Sequence, residues 1–484
     1  MIRVYNTLTR KKEELVPREK GKIYMYVCGL TPDNYPHLGH ARAFVVFDTI
    51  KRYLKFKGFE VKYVQNYTDI DDKIIKRANE WGISPKEIAE TFILMYEKYL
   101  KLFNVDREGN IYPRVTENID GIIKMVKELE NKGFAYETDT GVYFSVKKFP
   151  EYGKLSRRKI EDLIKGARIP VDETKKDPLD FALWKKQKPG EPAWNSPWGK
   201  GRPGWHIECS VMSMKYLGFG YDIHGGGIDL IFPHHENEIA QSEAWAGDKP
   251  YVRYWLHNGL ITVNKEKMSK SLGNFFTIEE LLKKYQPEVL RLFLLSGDYH
   301  SPIDFSFEKL NEIKKSYERI KEFYNFLKMM KEKFPEDDEK IRKISDDAMK
   351  EFTSFMDDDF NTQGALGVLF KFINKIKGEG GEGSFGYALK VFEDMLNILG
   401  IKISFKEIKN LKEELIKILS DFNLIEKGDE EKEEEELIKK IIDERKKMRE
   451  NKEYEKADKI RDRLKELGYE VRDGKRETIY FRRE

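Results

Sequence analysis

Cysteine is scarce in this chain of 484 residues, which contains two, Cys28 and Cys209. Two cysteines cannot form a disulfide framework, so the small secreted scaffolds that depend on one are excluded. The chain has no run of about eighteen apolar residues, the length a membrane span needs. Its first residues, MIRVYNTLTRKKEELV, lack the apolar core of an export signal. We therefore expect a cytoplasmic protein that does not cross a membrane.

Net charge is also small, because 88 Lys and Arg residues nearly cancel 85 Asp and Glu residues to leave +3. A uniformly basic nucleic-acid binder is excluded, and any contact with nucleic acid must use a local basic patch. The length exceeds what one hydrophobic core supports, which predicts roughly two to four domains.

The first hundred residues have the pattern of a βαβ unit. KIYMYVC, residues 22–28, predicts a buried strand, and apolar spacing predicts a helix from Leu38 to Phe56 that Gly58 ends. FEVKYVQNYT predicts the next strand, and SPKE predicts a helix start with a capping box from Ser84 to Glu87. Two strands joined by a helix indicate an α/β fold with a Rossmann-like, doubly wound parallel sheet.

A mixed segment from about Asp106 to Trp198 interrupts this pattern. It predicts a helix near Ile119–Asn131, a strand GVYFSV, and a loop rich in Pro, Gly and Trp. We interpret it as an insertion into the sheet domain. YDIHGGGIDLIF then restores the pattern and places His224 at the carboxyl end of a strand, where open α/β sheets bind ligands.

Beyond about Asp304 the chain has long charged helical patterns until about Leu424. The acidic run GDEEKEEEE follows as a flexible joint or a solvated helix face. The tail predicts a helix, a stop at Gly468 and two short strands. All eight His, both Cys and all seven Trp residues lie in the first 300 positions. We therefore expect the catalytic residues in the N-terminal part and a recognition or scaffolding role for the C-terminal part.

IFPHHENEIAQ, residues 231–241, is a candidate for half of a zinc site. Pro233 suits the first turn of a helix, and His234 and Glu238 then stand four residues apart on one face. Cys28 and Cys209 would complete a plausible set of four ligands. His235 is a competing ligand beside His234. The alternative is that both cysteines are core residues and that the His–Glu pair lies on the surface.

PHLGHAR, residues 36–42, follows a strand and opens a helix, so its backbone N–H groups form an anion site. His37 and His40 on this turn could donate to phosphate oxygens, and Gly39 would allow a nucleotide to approach the backbone. KEKMSKSLGN, residues 265–274, adds Lys267 and Lys270, which can neutralise charge on a leaving phosphate group. The alternatives are two solvent-facing histidines and an ordinary basic loop.

The combination of PHLGH with KMSKS resembles the two signatures of the class I aminoacyl-tRNA synthetases. MYVCG, GRPGWHIECS, DIHGGGIDLIFPHHENEIAQSEA, TDIDDKI and MDDDFNT resemble the cysteinyl-tRNA synthetases in particular, nearly from end to end. By this resemblance the zinc ligands fall on Cys28, Cys209, His234 and Glu238. The contacts to the cysteine substrate fall on Thr68, Trp205, His224 and Asp229.

The resemblance implies one Zn²⁺ per chain, Mg-ATP as a substrate, and a two-step reaction. L-cysteine is converted to cysteinyl-adenylate and pyrophosphate, and its acyl group then passes to the terminal ribose of tRNA(Cys). His37, Gly39, His40 and Lys270 would bind ATP, with Lys267 assisting. Zinc would bind the substrate thiolate and so exclude serine. The implied protein is a monomer that contacts no membrane.

The implied architecture has three parts. Residues 1–305 form the catalytic domain, with a connective insertion at about 106–198 and a KMSKS-bearing region, which contacts the tRNA stem, at about 255–305. Residues 306–425 form a helical anticodon-binding bundle, and residues 426–484 a small mixed α/β domain for tRNA recognition.

Two departures from the family pattern stand out. Pro32 and Asp33 follow Thr31 where Val and Tyr are usual, and Tyr35 is expected to compensate at the nucleotide edge. Near the end of the chain, Tyr480 replaces the usual Trp. Tyr480 or Phe481 could stack on a base, or the tyrosine could simply pack on a small sheet.

Two other functions are considered. One is a cysteine ligase that uses an amino-sugar as acceptor, and the other is a non-catalytic, zinc-dependent RNA-binding protein. The long C-terminal part argues against the first, and the intact PHLGH and KMSKS motifs argue against the second.

Overall fold

The computed structural model describes residues 1–158, 174–268, 275–333, 338–378, 385–403, 412–467, 469–473 and 478–482. The strands in these ranges are β1 (Arg3–Asn6), β2 (Lys11–Glu14), β3 (Lys22–Leu30), β4 (Glu60–Tyr67), β5 (Ala135–Glu137), β6 (Gly141–Phe144), β7 (Phe181–Lys186), β8 (Gly201–Pro203), β9 (Tyr221–Gly227), β10 (Val252–Asn258), β11 (Ile261–Val263), β12 (Glu266–Lys267), β13 (Ile303–Phe305), β14 (Tyr469–Asp473) and β15 (Thr478–Arg482). The α-helices are α1 (Leu38–Phe56), α2 (Asp72–Trp81), α3 (Pro85–Leu102), α4 (Ile119–Asn131), α5 (Trp205–Leu217), α6 (Glu236–Ala246), α7 (Ile278–Leu282), α8 (Pro287–Leu295), α9 (Phe307–Lys333), α10 (Glu339–Asp357), α11 (Thr362–Gly378), α12 (Gly386–Leu399), α13 (Lys412–Asp421), α14 (Glu434–Glu450) and α15 (Tyr454–Glu466).

A parallel sheet with the strand order β10–β9–β3–β4 lies at the centre of the N-terminal part of the chain. β3 pairs with β4 on one side and with β9 on the other, and β9 pairs with β10. α1 connects β3 to β4 and buries the apolar face that includes Phe44, Phe47 and Leu54. Largely buried strands joined through helices are typical of parallel sheets. The predicted doubly wound sheet and the helix over 38–56 are confirmed.

The order in which the chain adds strands to this sheet changes direction at β3. The chain first moves outward from β3 to β4, and later returns on the opposite side of β3 as β9 and β10. Such a switch point opens a crevice at the carboxyl ends of the strands, where ligands bind. Cys28 lies near that end of β3. His224 is the fourth of seven residues in β9, so it lies deeper in the sheet than the predicted strand end.

Between β4 and β9 the chain forms α4 and an antiparallel sheet with the order β5–β6–β7–β8. The predicted helix at 119–131 and strand GVYFSV are confirmed by α4 and β6. The prediction of a simple loop before Trp198 is wrong in part, because this stretch contributes β7, which pairs with β6 and β8. The missed strand depends on partners distant in sequence, which local composition does not show.

A small sheet with the order β12–β11–β13 follows the central sheet. β11 and β13 are parallel, and β12 forms a hairpin with β11. A short helix follows the KMSKS segment, since α7 spans five residues behind the N-cap Thr277.

Helices α9 to α13 confirm the helical segment that the sequence predicts from about Asp304 to about Leu424. One hydrophobic core runs from α1 into helices α9 to α12 and includes Val45, Tyr317 and Phe392. A separate core joins α13, α14 and α15 to the hairpin β14–β15. Part of the acidic run is ordered, because Asp429 is fully buried and accepts hydrogen bonds from Lys432 and Lys440.

The tail contains the predicted helix, as α15, and the two predicted short strands. Gly468, the predicted helix stop, lies outside the described residues. Among the described helices, none is long and apolar enough to cross a membrane.

Candidate metal centre and nucleotide site

Four side chains predicted as metal ligands converge at the switch point of the central sheet. Cys28 is contributed by β3, Cys209 by α5, and His234 and Glu238 by the segment that ends in α6. The two Sγ atoms lie 3.8 Å apart, and Cys28 Sγ lies 3.6 Å from Oε1 of Glu238. All four residues are buried, and their ligand atoms lie within 4.8 Å of one another. The arrangement is a possible metal site.

Pro233 lies in the first turn of the helical segment that carries Glu238, as the sequence predicts. Phe232 has an extended backbone, and helical backbone angles continue from Pro233 through His235 into α6, which starts at Glu236. His234 and Glu238 meet as expected, with 3.1 Å between Nε2 and Oε1.

Two further histidines face the same cluster. Nε2 of His224 lies 3.3 Å from Cys28 Sγ, and Nε2 of His235 lies 3.2 Å from it. These two residues with Cys28 and Glu238 form a second possible ligand set. Cys28 and Glu238 belong to both sets. Geometry alone therefore does not select His234 over His235.

Hydrogen bonds behind the three imidazoles fix their orientation. Nδ1 of His234 lies 3.0 Å from Nδ1 of His206, and Nδ1 of His235 lies 2.8 Å from Nε2 of His257. Nδ1 of His224 lies 2.6 Å from the hydroxyl of Tyr221. In each case Nε2 is left to face the thiols and Glu238. Partners of this kind orient metal-ligating histidines and set their tautomer.

Burial disfavours the charged forms of Glu238, His224, His235 and Cys28 in this cluster, whereas Cys209 is an exception. Burial raises the pKa of Glu238 well above its usual value and lowers the pKa of His224 and His235 well below theirs. Burial and the adjacent Cys209 raise the pKa of Cys28, which donates a hydrogen bond to Cys209 and thereby lowers the pKa of that thiol to about 7. A divalent cation would stabilise the deprotonated thiols and carboxylate. Two thiols, an imidazole and a carboxylate fit zinc.

The predicted substrate contacts surround this cluster in part. Trp205 stacks on His234 with ring centroids 4.3 Å apart and is 37% exposed. Thr68 is buried just beyond β4 and accepts a hydrogen bond from Asn66, whose Oδ1 lies 3.7 Å from Cys209 Sγ. Asp229 lies in a short turn directly after β9. Asn66 was missed because no motif marks it.

The PHLGH histidines lie on the first turn of α1, as the sequence predicts. His37 is the N-cap, and its Nδ1 accepts from the backbone N–H of Gly39 at 3.1 Å. Nδ1 of His40 accepts from the backbone N–H of His37 at 3.3 Å. The imidazoles stack with centroids 3.7 Å apart. Burial lowers the pKa of His40 well below its usual value. A neutral His40 with Nδ1 as acceptor carries its proton on Nε2, as does His37 when it is neutral.

Gly39 is required by this cap. A Cβ at this position would lie 2.9 Å from Cε1 and 3.0 Å from Nδ1 of His37. The missing side chain therefore allows the His37 ring to fold back onto the helix end.

The chain that follows the KMSKS segment lies beside PHLGH. The backbone N–H of Ile278 donates to the carbonyl of Pro36 at 3.1 Å, and Phe275 contacts His37 edge-on at 5.1 Å. Met268, within the segment, is buried. The side chain of Lys267 and residues 269–274, which include Lys270, lie outside the described part of the chain.

Arg42, which the sequence interpretation did not single out, connects α1 to the strands before KMSKS. Its guanidinium is fully buried and donates to the backbone carbonyls of Leu260, Asp298, Tyr299 and Ser301 at 2.5–3.2 Å. Leu260 directly precedes β11, which pairs with β12 at the start of KMSKS. The bonds hold the PHLGH helix against the base of that hairpin.

At the positions that depart from the family pattern, the ring of Tyr35 packs edge-on against Phe92 with centroids 5.5 Å apart. Its predicted compensation at the nucleotide edge stays a prediction. Tyr480 is partly buried against the C-terminal core, as the packing alternative predicts. The side chain of Phe481 lies outside the described part of the chain.

Comparison with known families matches three segments of the chain. Residues 14–315 match the catalytic domain of "tRNA synthetases class I (C)", residues 351–403 match the DALR domain, and residues 433–482 match the "Cysteinyl-tRNA ligase anticodon binding domain". The first match alone spans more than half of the sequence.

Curated relatives match the chain from end to end. The cysteine–tRNA ligase of Thermococcus gammatolerans is 49% identical over 490 residues, covering 99% of both chains. That of Carboxydothermus hydrogenoformans is 50% identical over 476 residues, covering 98% of both, and that of Pyrococcus abyssi is 51% identical over 488 residues, covering 99% of both.

Solved structures support the same fold. Methionyl-tRNA synthetase of Mycobacterium tuberculosis, in complex with methionyl-adenylate, superposes with a TM-score of 0.60 at 14% identity. The match covers 78% of this chain and 91% of that one. The amino-sugar ligase and the non-catalytic RNA-binding protein are not favoured by these relatives. The chain has the sequence, the fold and the described site expected of one enzyme family, and it belongs to the cysteine–tRNA ligases of the class I aminoacyl-tRNA synthetases.

Proposed function

We propose that this enzyme recognises its amino acid with one zinc ion held by Cys28, Cys209, His234 and Glu238. The observation that supports it is the convergence of both cysteines of the chain on one buried His–Glu pair. This set is preferred to the one with His224 and His235 because it supplies two thiolates, and thiolates favour zinc. His224 and His235 then remain beside the ion as neutral groups.

When bound, zinc in a thiolate-rich site would prefer the soft sulfur of cysteine to the hydroxyl oxygen of serine. A plain pocket discriminates poorly between two such similar side chains, so this preference would remove the need for an editing site. We assign the remaining contacts to the substrate to Thr68, Trp205, His224 and Asp229. Trp205, exposed at the edge of the cluster, is placed to cover the bound amino acid.

We assign ATP binding to His37, Gly39 and His40, together with Lys267 and Lys270. With Nδ1 engaged by the backbone, neutral His37 and His40 would offer Nε2–H donors to phosphate oxygens. The cysteine carboxylate attacks the α-phosphate of Mg-ATP, and pyrophosphate leaves with its charge stabilised by the two lysines. These residues act by position and charge, and no general base is assigned.

In the second step the acyl group passes from the adenylate to the terminal ribose of tRNA(Cys). We assign recognition of this tRNA to the helical bundle at 306–425 and to the small domain at 426–484. We assign catalysis to the domain at 1–305, which includes the connective insertion at about 106–198. The KMSKS-bearing region of this domain, at about 255–305, would contact the tRNA stem. A monomer and a cytoplasmic location stay predictions.

Cysteine-dependent exchange of pyrophosphate into ATP tests the proposal. Zinc removal should abolish exchange with L-cysteine, and restored zinc should return it. L-serine should support almost no exchange, either with the zinc-free enzyme or with the enzyme that holds zinc. Undiminished exchange by fully zinc-free enzyme would contradict the role of the metal, and efficient charging of other tRNAs would contradict the assignment of tRNA(Cys).

A further inference from the structure

The two oxygens of the Glu238 carboxylate have different surroundings. Oε1 lies 3.1 Å from Nε2 of His234, 3.6 Å from Cys28 Sγ and 3.6 Å from Nε2 of His224. Oε2 accepts a hydrogen bond from the hydroxyl of Tyr251 at 3.2 Å. The side chain therefore directs one oxygen into the cluster of ligands and is held from behind by the other.

Tyr251 is fully buried and has no role in the proposed reaction. It directly precedes β10, and its ring contacts the ring of Tyr221 edge-on with centroids 5.5 Å apart. The hydroxyl of Ser213, on α5, lies 2.6 Å from the hydroxyl of Tyr251. An ionised carboxylate can only accept, so Tyr251 then donates its one proton to Glu238 and accepts from Ser213. The tyrosine hydroxyl is thus itself oriented by a second hydrogen bond.

The backbone of Glu238 is fixed independently of this tyrosine. On the next turn of α6, Gln241 Nε2 and Ser242 Oγ both donate to the hydroxyl of Ser210 on α5, at 2.7 Å and 2.8 Å. These bonds hold the two helices together beside the cluster. What remains to be fixed is the rotation of the Glu238 side chain, and the bond from Tyr251 restricts that rotation.

We propose that Tyr251, supported by Ser213, is a positioning residue that holds Glu238 so that Oε1 alone is presented to the metal. The proposal rests on the proposed zinc site, in which Glu238 is a ligand. Outer hydrogen-bond partners of this kind orient a ligand and contribute to metal affinity. A carboxylate that binds through one oxygen also keeps the coordination number low, which leaves a position for the thiol of the substrate.

The test compares Tyr251→Phe with Tyr221→Phe as a matched control. Each variant removes one buried phenolic hydroxyl, but that of Tyr221 lies 2.6 Å from Nδ1 of His224, which is outside the proposed ligand set. Zinc affinity is measured directly, by competition between the purified enzyme and a chelator. We expect Tyr251→Phe to weaken zinc binding by about tenfold to a hundredfold. Tyr221→Phe should leave zinc affinity unchanged.

Thermal unfolding with and without zinc separates positioning from a loss of packing. Both variants keep the aromatic ring and lose one hydroxyl, so the midpoints of the two zinc-free proteins should lie close together. When zinc is added, the midpoint of Tyr251→Phe should rise less than that of Tyr221→Phe, because weaker binding stabilises the native state less. Equal rises in the two variants would contradict the proposal.

Ser213→Ala is a milder test that remains available if Tyr251→Phe does not fold. It removes the donor to the Tyr251 hydroxyl and leaves that hydroxyl in place. Zinc affinity should fall in this variant too, although by less than in Tyr251→Phe. Where both variants fold, the double variant should bind zinc about as weakly as Tyr251→Phe alone, because both changes act through one carboxylate.

Glu238→Gln distinguishes failure of this inference from failure of the proposed zinc site. It should weaken zinc binding more than Tyr251→Phe does. Full zinc affinity in Tyr251→Phe, beside a loss in Glu238→Gln, would overturn the positioning role. Full zinc affinity in Glu238→Gln would instead refute the proposed ligand set, and a loss in Tyr221→Phe would assign the ion to the set that contains His224.

Discussion

Replacing Arg42 by methionine is expected to slow the enzyme far more than it destabilises the fold. Arg42 is a fully buried cation whose four hydrogen bonds go to backbone carbonyls. Methionine keeps the apolar stem and removes both the charge and the bonds. The substitution therefore tests whether these bonds serve stability or position.

The two contributions to stability nearly cancel. Burial lowers the pKa of the Arg42 guanidinium to about 10 from its usual 12.5, which corresponds to a penalty of about 3 kcal/mol for the buried charge. Each of the four hydrogen bonds stabilises the folded protein by about 1 kcal/mol, or about 4 kcal/mol together. We therefore expect Arg42→Met to destabilise the protein by about 1 kcal/mol.

The effect on activity should be much larger. Arg42 holds α1, which carries His37 and His40, against the hairpin that begins KMSKS. A displacement of about 1 Å between reacting groups can slow a reaction by about a hundredfold. The kcat for pyrophosphate exchange should fall by this order, while the KM for cysteine stays close to that of the parent enzyme.

Arg291→Met is the matched control. Arg291 is also buried, but it pairs with the buried Asp48 at 2.5 Å and also bonds to the carbonyls of Phe103 and Leu399. Its loss leaves Asp48 without this partner, which should cost about 3–5 kcal/mol. Thermal unfolding should show the larger shift for Arg291→Met, and exchange kinetics the larger loss for Arg42→Met. The opposite pattern would refute the assignment of Arg42 to positioning.

Three other outcomes are expected. Cys209→Ser should lower zinc content and cysteine affinity together, and a normal zinc content in this variant would contradict the ligand assignment. Gly39→Ala should raise the KM for ATP more than that for cysteine, because the new Cβ would lie 2.9 Å from Cε1 of His37; equal changes would argue against a phosphate role. Burial lowers the pKa of His257 to about 3, so the unfolded state alone binds this proton as the pH falls from about 6.5 towards 3. Stability should drop by at most about 1.4 kcal/mol per pH unit from this residue, and His257→Gln should show a shallower pH dependence in chemical denaturation.

Local signals predicted the helices well. The capping box at Ser84 and Glu87 forms as expected, with Ser84 Oγ accepting from the Glu87 N–H at 3.2 Å. α1 spans the predicted residues because its apolar spacing and its stop near Gly58 are encoded within the segment itself. By contrast, β7 depends on β6 and β8, so the Trp-rich stretch around it looked like a loop.

The sequence predicted only part of the metal cluster. Helical spacing correctly predicted that His234 lies beside Glu238, because helical backbone begins directly after the extended Phe232. His235 also reaches the cluster, because both imidazoles direct Nε2 towards Glu238. Periodicity could not show that two adjacent residues share one site.

Arg42 and Asn66 could not be identified for a related reason. The partners of Arg42 lie more than 200 positions away, at Leu260 and Asp298–Ser301. Asn66 joins β4 to β3 and to Cys209 on α5. Single polar residues of this kind gain their role only when the tertiary structure brings their partners together.

Zinc K-edge X-ray absorption, recorded with and without L-cysteine, tests the central claim most directly. The account predicts two sulfur scatterers at about 2.3 Å in the enzyme with zinc alone, and a third when L-cysteine is added. L-serine should leave the spectrum unchanged. A shell that keeps two sulfur atoms while L-cysteine binds and pyrophosphate exchange proceeds would contradict recognition of the thiol by the metal.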